Sequence, residues 1–183
     1  LRVGEGCYAA LTTAKGKMQS DLNVFVLQDE LLLDFEPGLT ATVAQRLEKY
    51  IVADDVQVVE VAPLYGLLSV QGPHAADAIR ALGLFAEIPD GPFASVKVTD
   101  ATLGEIYLMN HPRLGIAGFD LFVPSVALAA VADKLIAAAK SVGGRAVGWS
   151  AFETARLEAG IPRPERDLLR TVRMAVEAGL ADE

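Results

Sequence analysis

Between residues 22 and 27, apolar Leu22, Val24 and Val26 alternate with Asn23 and Phe25. A period of two sends successive side chains to opposite faces, so this stretch predicts a half-buried strand. Residues 8–12 predict a strand before it, with Lys15-Gly16-Lys17 as the turn between them. Residues 30–35 predict a short apolar strand after it, and Gln28-Asp29 suits the intervening hairpin. The spacing then becomes helical. Val43, Leu47, Tyr50 and Ile51 share one face behind Thr40, a candidate N-cap. Strands are predicted again at 56–61 and 65–70. Pro73 suits the first turn of the next helix, whose Ala76, Ile79 and Leu82 face inward. The strand–strand–helix order therefore runs twice, over 22–51 and 56–82. Three more strands are predicted at 94–99, 104–109 and 117–123. An alanine-rich helix follows over 125–142, with Leu128, Val131 and Leu135 on its stripe, and it stops at Gly143-Gly144. This order predicts an α+β fold, with antiparallel sheets and helices on one face. The clearest breaks are Pro37-Gly38 and Pro89-Asp90-Gly91-Pro92. The second divides the chain into one α+β subdomain over 1–88 and another over 89–183.

The last helix has both ends written into it. Ser150 and Glu153 have the spacing of a capping box, Gly160 suits the left-handed position past the end, and Pro162 stops further winding. Taken alone, this is a well-capped helix. However, Arg156-Leu157-Glu158-Ala159-Gly160-Ile161-Pro162 resembles the Arg-(Leu/Ile)-Glu-Ala-Gly-(Ile/Leu)-Pro signature of folate-binding proteins. These are the glycine-cleavage T-protein (aminomethyltransferase) and its relative YgfZ, an accessory protein of iron–sulfur and tRNA-modification pathways. Two upstream segments add to the resemblance. Lys15-Gly16-Lys17 leading to Ser20-Asp21-Leu22 is similar to the YgfZ turn and strand, and Gln71-Gly72-Pro73 is similar to a strand-to-helix turn of both branches. The stretch Glu177-Ala178-Gly179-Leu180 resembles the segment that precedes a Lys-Gly-Cys-Tyr-x-Gly-Gln-Glu motif in YgfZ relatives. That motif is missing from this sequence, and Gly6-Cys7-Tyr8 lacks its Lys and Gln-Glu. The resemblance thus implies a central fragment without the family's N-terminal segment and C-terminal barrel.

Composition narrows the function classes. The 183 residues are 52% hydrophobic and 22% charged, as in a globular protein. No apolar run is long enough for a membrane span. A net charge of −8 argues against nonspecific nucleic-acid binding, which needs cations against phosphates. Arg156, Arg163, Arg166, Arg170 and Arg173 crowd the C-terminal region, but Glu158, Glu165 and Asp167 dilute them into a mixed-charge surface. One cysteine allows no internal disulfide, which fits a reducing, cytoplasmic setting. Two distant histidines and one cysteine offer no metal-ligand spacing, so no metal is expected. His74, in a helix first turn, and His111 have no nucleophile beside them, so a hydrolase triad has no support. No Gly-rich loop opens a helix after a strand, which excludes a Rossmann or P-loop reading.

The resemblance also implies chemistry. A pterin head presents two neighbouring N–H donors, which a carboxylate accepts as it does a guanidinium. Asp120, on a strand face with Gly118 and Phe122, matches the place where T-proteins carry a pterin-binding Glu within Gly-x-Glu-(Ile/Leu), one methylene longer. The alternative is an acid on a solvated strand face. Asp21 matches an Asp-Asp-Leu run implicated in methylene transfer, although Ser20 replaces one of the two acids. Lys15 and Lys17 are candidates for an anionic folate tail, and Arg156 and Glu158 belong to the signature helix. Each of these residues also has a plain structural reading. Phe152 stands where T-proteins carry a second ligand arginine. With Ser20, that departure favours a YgfZ-like tetrahydrofolate-binding protein that supports iron–sulfur enzyme maintenance or tRNA modification, with an iron–sulfur or lipoyl carrier protein as its implied partner. An aminomethyltransferase acting on a lipoyl carrier is the alternative, and a folate-blind interaction module is the third.

Overall fold

The computed structural model describes residues 1–163. The arginines at 166, 170 and 173 and the stretch 177–180 lie outside them. Strands β1 (Gly6–Thr12), β2 (Met18–Val26) and β3 (Leu31–Asp34) form an antiparallel sheet in that order. Helix α1 (Thr40–Glu48) follows, then β4 (Tyr65–Gln71) and α2 (Ala75–Leu82). Strands β5 (Ser95–Asp100), β6 (Gly104–Asn110) and β7 (Gly118–Pro124) join β4 in a second sheet, ordered β4-β7-β6-β5. Helices α3 (Leu128–Ser141) and α4 (Trp149–Glu158) complete the described chain. All pairings are antiparallel, as an α+β fold with segregated helices requires. Among the described residues, no helix is long and apolar enough to cross a membrane.

The second sheet is covered on both faces by different partners. Ile106, Leu108, Phe119, Leu121 and Val123 pack with Ile79 of α2 and with Val131 and Leu135 of α3. The opposite face carries Tyr107 and Met109, which pack on Phe25 of the first sheet. Strand alternation sends Asp120 and Phe122 to this inter-sheet face. Phe25 is fully buried, although the alternation in β2 sets it on the face opposite Leu22, Val24 and Val26. Leu22 is buried too, so β2 is covered on both sides. Gly6 lets the sheets close up. A Cβ there would lie 2.5 Å from the Val24 carbonyl oxygen and 2.9 Å from that of Phe93. These are backbone atoms, which cannot rotate away, so Gly6→Ala is expected to cost about 1–3 kcal/mol in denaturant unfolding.

Several local expectations are corrected. Residues 56–61 form no strand: β4 pairs with β7 instead, and Val56 and Val59 are exposed. A strand left without a partner cannot satisfy its backbone, so the strand–strand–helix unit does not repeat. The second sheet takes β4 from before Pro89 and three strands from after it. Leu39, not Thr40, is the N-cap of α1, and His74 is that of α2, so Pro73 lies just outside that helix. Helix α3 begins at Leu128, three residues later than predicted. Gly148 caps α4, so Ser150 is already helical and makes no capping bond. Its carbonyl accepts from the Thr154 hydroxyl at 3.0 Å. Ser150→Ala is therefore expected to change stability by less than about 0.5 kcal/mol, where a lost N-cap would cost about 1. Gly160 does take the left-handed conformation, at φ 71°.

Candidate functional site

A cavity of about 1080 Å³ opens beside the inter-sheet face. Strands β2 and β3 contribute Asp21, Asn23 and Asp34, and β4 contributes Ser69 and Gln71. The far wall is α4, where the rings of Trp149 and Phe152 stack at 5.3 Å. Trp149 is 60% exposed, at the outer end of the stack. Arg163 lies over that ring at 4.9 Å and pairs with Glu36, whose other neighbours also line the cavity.

The polar floor is a chain of charged contacts. Tyr8 donates its hydroxyl to Asp21 Oδ2 at 2.7 Å. The Asn23 side-chain amide donates to Asp34 Oδ2 at 3.0 Å. Arg113 spans two acids: its Nη2 donates to Asp34 Oδ2 and its Nε to Asp120 Oδ2, both at 2.7 Å. His111 Nδ1 lies 2.7 Å from the same Asp120 oxygen. Asp120 Oδ1 and Asn23 Oδ1 are buried without a hydrogen-bond partner. Burial alone would raise the Asp120 carboxyl, but the charge of Arg113 and the bond from His111 hold it below the ordinary carboxylate value. Burial would likewise weaken the charge on Arg113, yet Asp120 and Asp34 reverse the effect and keep it cationic. The Asp34, His111 and Asp120 ligand atoms lie within 4.8 Å of one another, and Arg113 supplies the cation that joins the two acids. Gln71 crosses beneath, donating to Ser69 Oγ at 2.9 Å and to the His111 carbonyl at 3.0 Å. A side chain at Gly118 would overlap it.

A protein-family model described as "GCVT N-terminal domain" matches residues 1–182. The chain belongs to this family. It is 31% identical to the aminomethyltransferase of Cupriavidus necator and 30% identical to that of Ralstonia pickettii, each over 97% of this chain and 50% of the relative. The Mycobacterium tuberculosis aminomethyltransferase is 30% identical over 87% of this chain and 42% of its own. The chain therefore spans half or less of the length of these relatives. The crystal structure of the Bartonella henselae glycine cleavage system aminomethyltransferase T shares the fold, with a TM-score of 0.73 and 24% identity, over 89% of this chain and 43% of that one.

Within this GCVT frame the expected site residues scatter. Asp21 faces the cavity. Asp120 is fully buried and sits behind Arg113, which lines the cavity in its stead. Lys15 and Lys17 are exposed on the β1–β2 turn, away from the cavity lining. Arg156 is buried, bonded to Glu153 and to the Ile161 carbonyl, so it ties the helix to the chain after it. Glu158 is exposed and does not line the cavity. Sequence reasoning missed Arg113, Asp34, Tyr8 and Trp149. His-Pro-Arg directly after a strand was the available signal for Arg113, but its partner Asp34 is 79 residues away.

Proposed function

We propose that this chain is the tetrahydrofolate-binding part of an aminomethyltransferase-type protein. The observation that carries the reading is Asp21, a carboxylate held by Tyr8 and facing a cavity with a stacked aromatic wall. The residues present fit the ligand. The volume of about 1080 Å³ lies just above the usual range of small-molecule sites, which are clefts with apolar walls and a few placed polar groups. Trp149 and Phe152 offer a flat surface for a ring system, Asp21 an acceptor for its amines, and Arg145 on the rim a cation for an anionic tail. When bound, tetrahydrofolate supplies the amines that take up a one-carbon unit. Asp21 then holds negative charge beside them, where it can accept a proton or steady a developing cation. Tyr8 keeps that carboxylate oriented. The relatives named aminomethyltransferase support this reading over the YgfZ-like one.

Two observations keep an accessory, iron–sulfur-linked role as the second reading. Ser20 is buried and donates to the Asp21 carbonyl, so that position offers no second acid. Phe152 lines the cavity where the resemblance expected an arginine. A lipoyl-carrier assay separates the two. Transfer to tetrahydrofolate supports the transferase, and binding without transfer supports the accessory role.

Anaerobic calorimetric titration with tetrahydrofolate tests the site itself. Asp21→Asn keeps the shape but loses the charge, and is expected to weaken binding about tenfold, the worth of one charge-assisted hydrogen bond. Equal binding by wild type and variant overturns the Asp21 assignment, and no binding by either overturns the folate reading.

A further inference from the structure

The Asp120 carboxylate is the most enclosed acid of the site, and it is already taken. Arg113 stands between it and the cavity, with one side of its guanidinium bridging Asp120 and Asp34. That side presents two neighbouring N–H donors in one plane, which is also what a 2-amino-4-oxo heterocycle presents. The two acids lie close enough to receive either. Asp120 keeps one further acceptor, Oδ1, that is buried and without a partner. Ser69 faces Asp120 in the strand register, and its hydroxyl adds to the groups favouring the charged carboxyl. Arg113 is still 23% exposed on its side chain, so it has room to leave toward the cavity.

We propose that Arg113 is an internal stand-in for the ligand's head, which must displace it to reach Asp120. This makes Arg113 a residue that sets affinity and specificity. It admits head groups with a fused two-donor edge and turns away those that cannot replace both of its bonds. His111 remains beside Asp120 when Arg113 leaves, so the carboxylate keeps a partner. The inference rests on the folate reading for the identity of the natural ligand but not for the chemistry of the niche.

The experiment uses three probes on the same chain: tetrahydrofolate, isocytosine as the bare 2-amino-4-oxo ring, and methylguanidinium. A ligand that competes with an internal group binds more weakly by the fraction of time the site is open. Arg113→Ala is therefore expected to bind tetrahydrofolate more tightly than wild type, by about tenfold or more if Arg113 closes the niche nine-tenths of the time. It should also gain binding of isocytosine, with methylguanidinium competing. Adding Asp120→Asn should abolish both gains. A folded Arg113→Ala variant that binds neither probe better than wild type overturns the proposal, as does a gain that survives Asp120→Asn. If Arg113→Ala does not fold, the Arg113 Nε–H resonance of wild type gives the answer. It should shift strongly when tetrahydrofolate saturates the chain, and an unmoved signal sinks the idea. Isocytosine binding without any tetrahydrofolate binding upholds the niche and removes the folate reading. Equal tetrahydrofolate binding by wild type and Arg113→Ala, with no isocytosine binding, does the reverse.

Discussion

Asp120→Ala is expected to lower the unfolding free energy by about 3–5 kcal/mol, because it strips a buried ion pair of one partner and leaves the other charged. Asp120 is fully buried, and its Oδ2 holds both Arg113 and His111. Without it, the guanidinium is left with Asp34 alone at the seam between the sheets. Urea denaturation of the two proteins measures the loss. A change below about 1 kcal/mol, the range of an exposed pair, would show that the network is solvated. The contribution should also depend on pH. The folded carboxyl titrates below its ordinary value of 3.8, so its stabilisation is fully present above that value. It is lost as pH falls from there through the lower, folded value. The carboxyl's own contribution to the stability gap between wild type and Asp120→Asn should therefore be lost only in acid.

Phe25→Ala should be comparably damaging, at about 3–5 kcal/mol for a large buried aromatic cut back to a methyl group. The ring joins the sheets. It packs with Tyr107 and Met109 of β6, and its centroid lies 6.2 Å from Phe93 and 6.4 Å from His111. Thermal melts would read the loss. Phe25→Leu, which keeps most of the volume, should cost less than about 1.5 kcal/mol. If the two variants melt together, the contact between the sheets is not the tight packing described. His111 sits on the same ring and on Phe93, at 5.3 Å, so loosening this cluster should also loosen the ion network beside it.

These two residues show what could be read from the chain and what could not. The strand over 22–27 was legible because alternation is a local property. Which of its faces met the rest of the protein was not, because Phe25 and Leu22 are both buried and only the second sheet gives Phe25 its role. Asp120 stood out as an acid on a strand otherwise apolar. Its partners could not be foreseen, since Arg113 is tied at once to Asp120 and to a residue 79 positions earlier. Residues 56–61 looked like a strand because Val56, Val58 and Val61 favour one, but propensity without a neighbour yields no ladder. The start of α4 was misplaced by a similar local preference. Ser150 and Glu153 have the spacing of a capping box, but Glu153 pairs with Arg156 and Arg163 instead. The left-handed Gly160 is legible in the sequence, because no side-chain competition bears on it.

The pairing of β4 with β7 also joins the two sides of the Pro89 break more firmly than the sequence suggests. A nick in that loop would leave one piece with an orphaned edge strand and the other with a sheet open along β7. Neither piece would be a finished domain. The two would be complementary, each carrying the hydrogen-bonding edge that the other lacks, as in a protein reassembled from split halves.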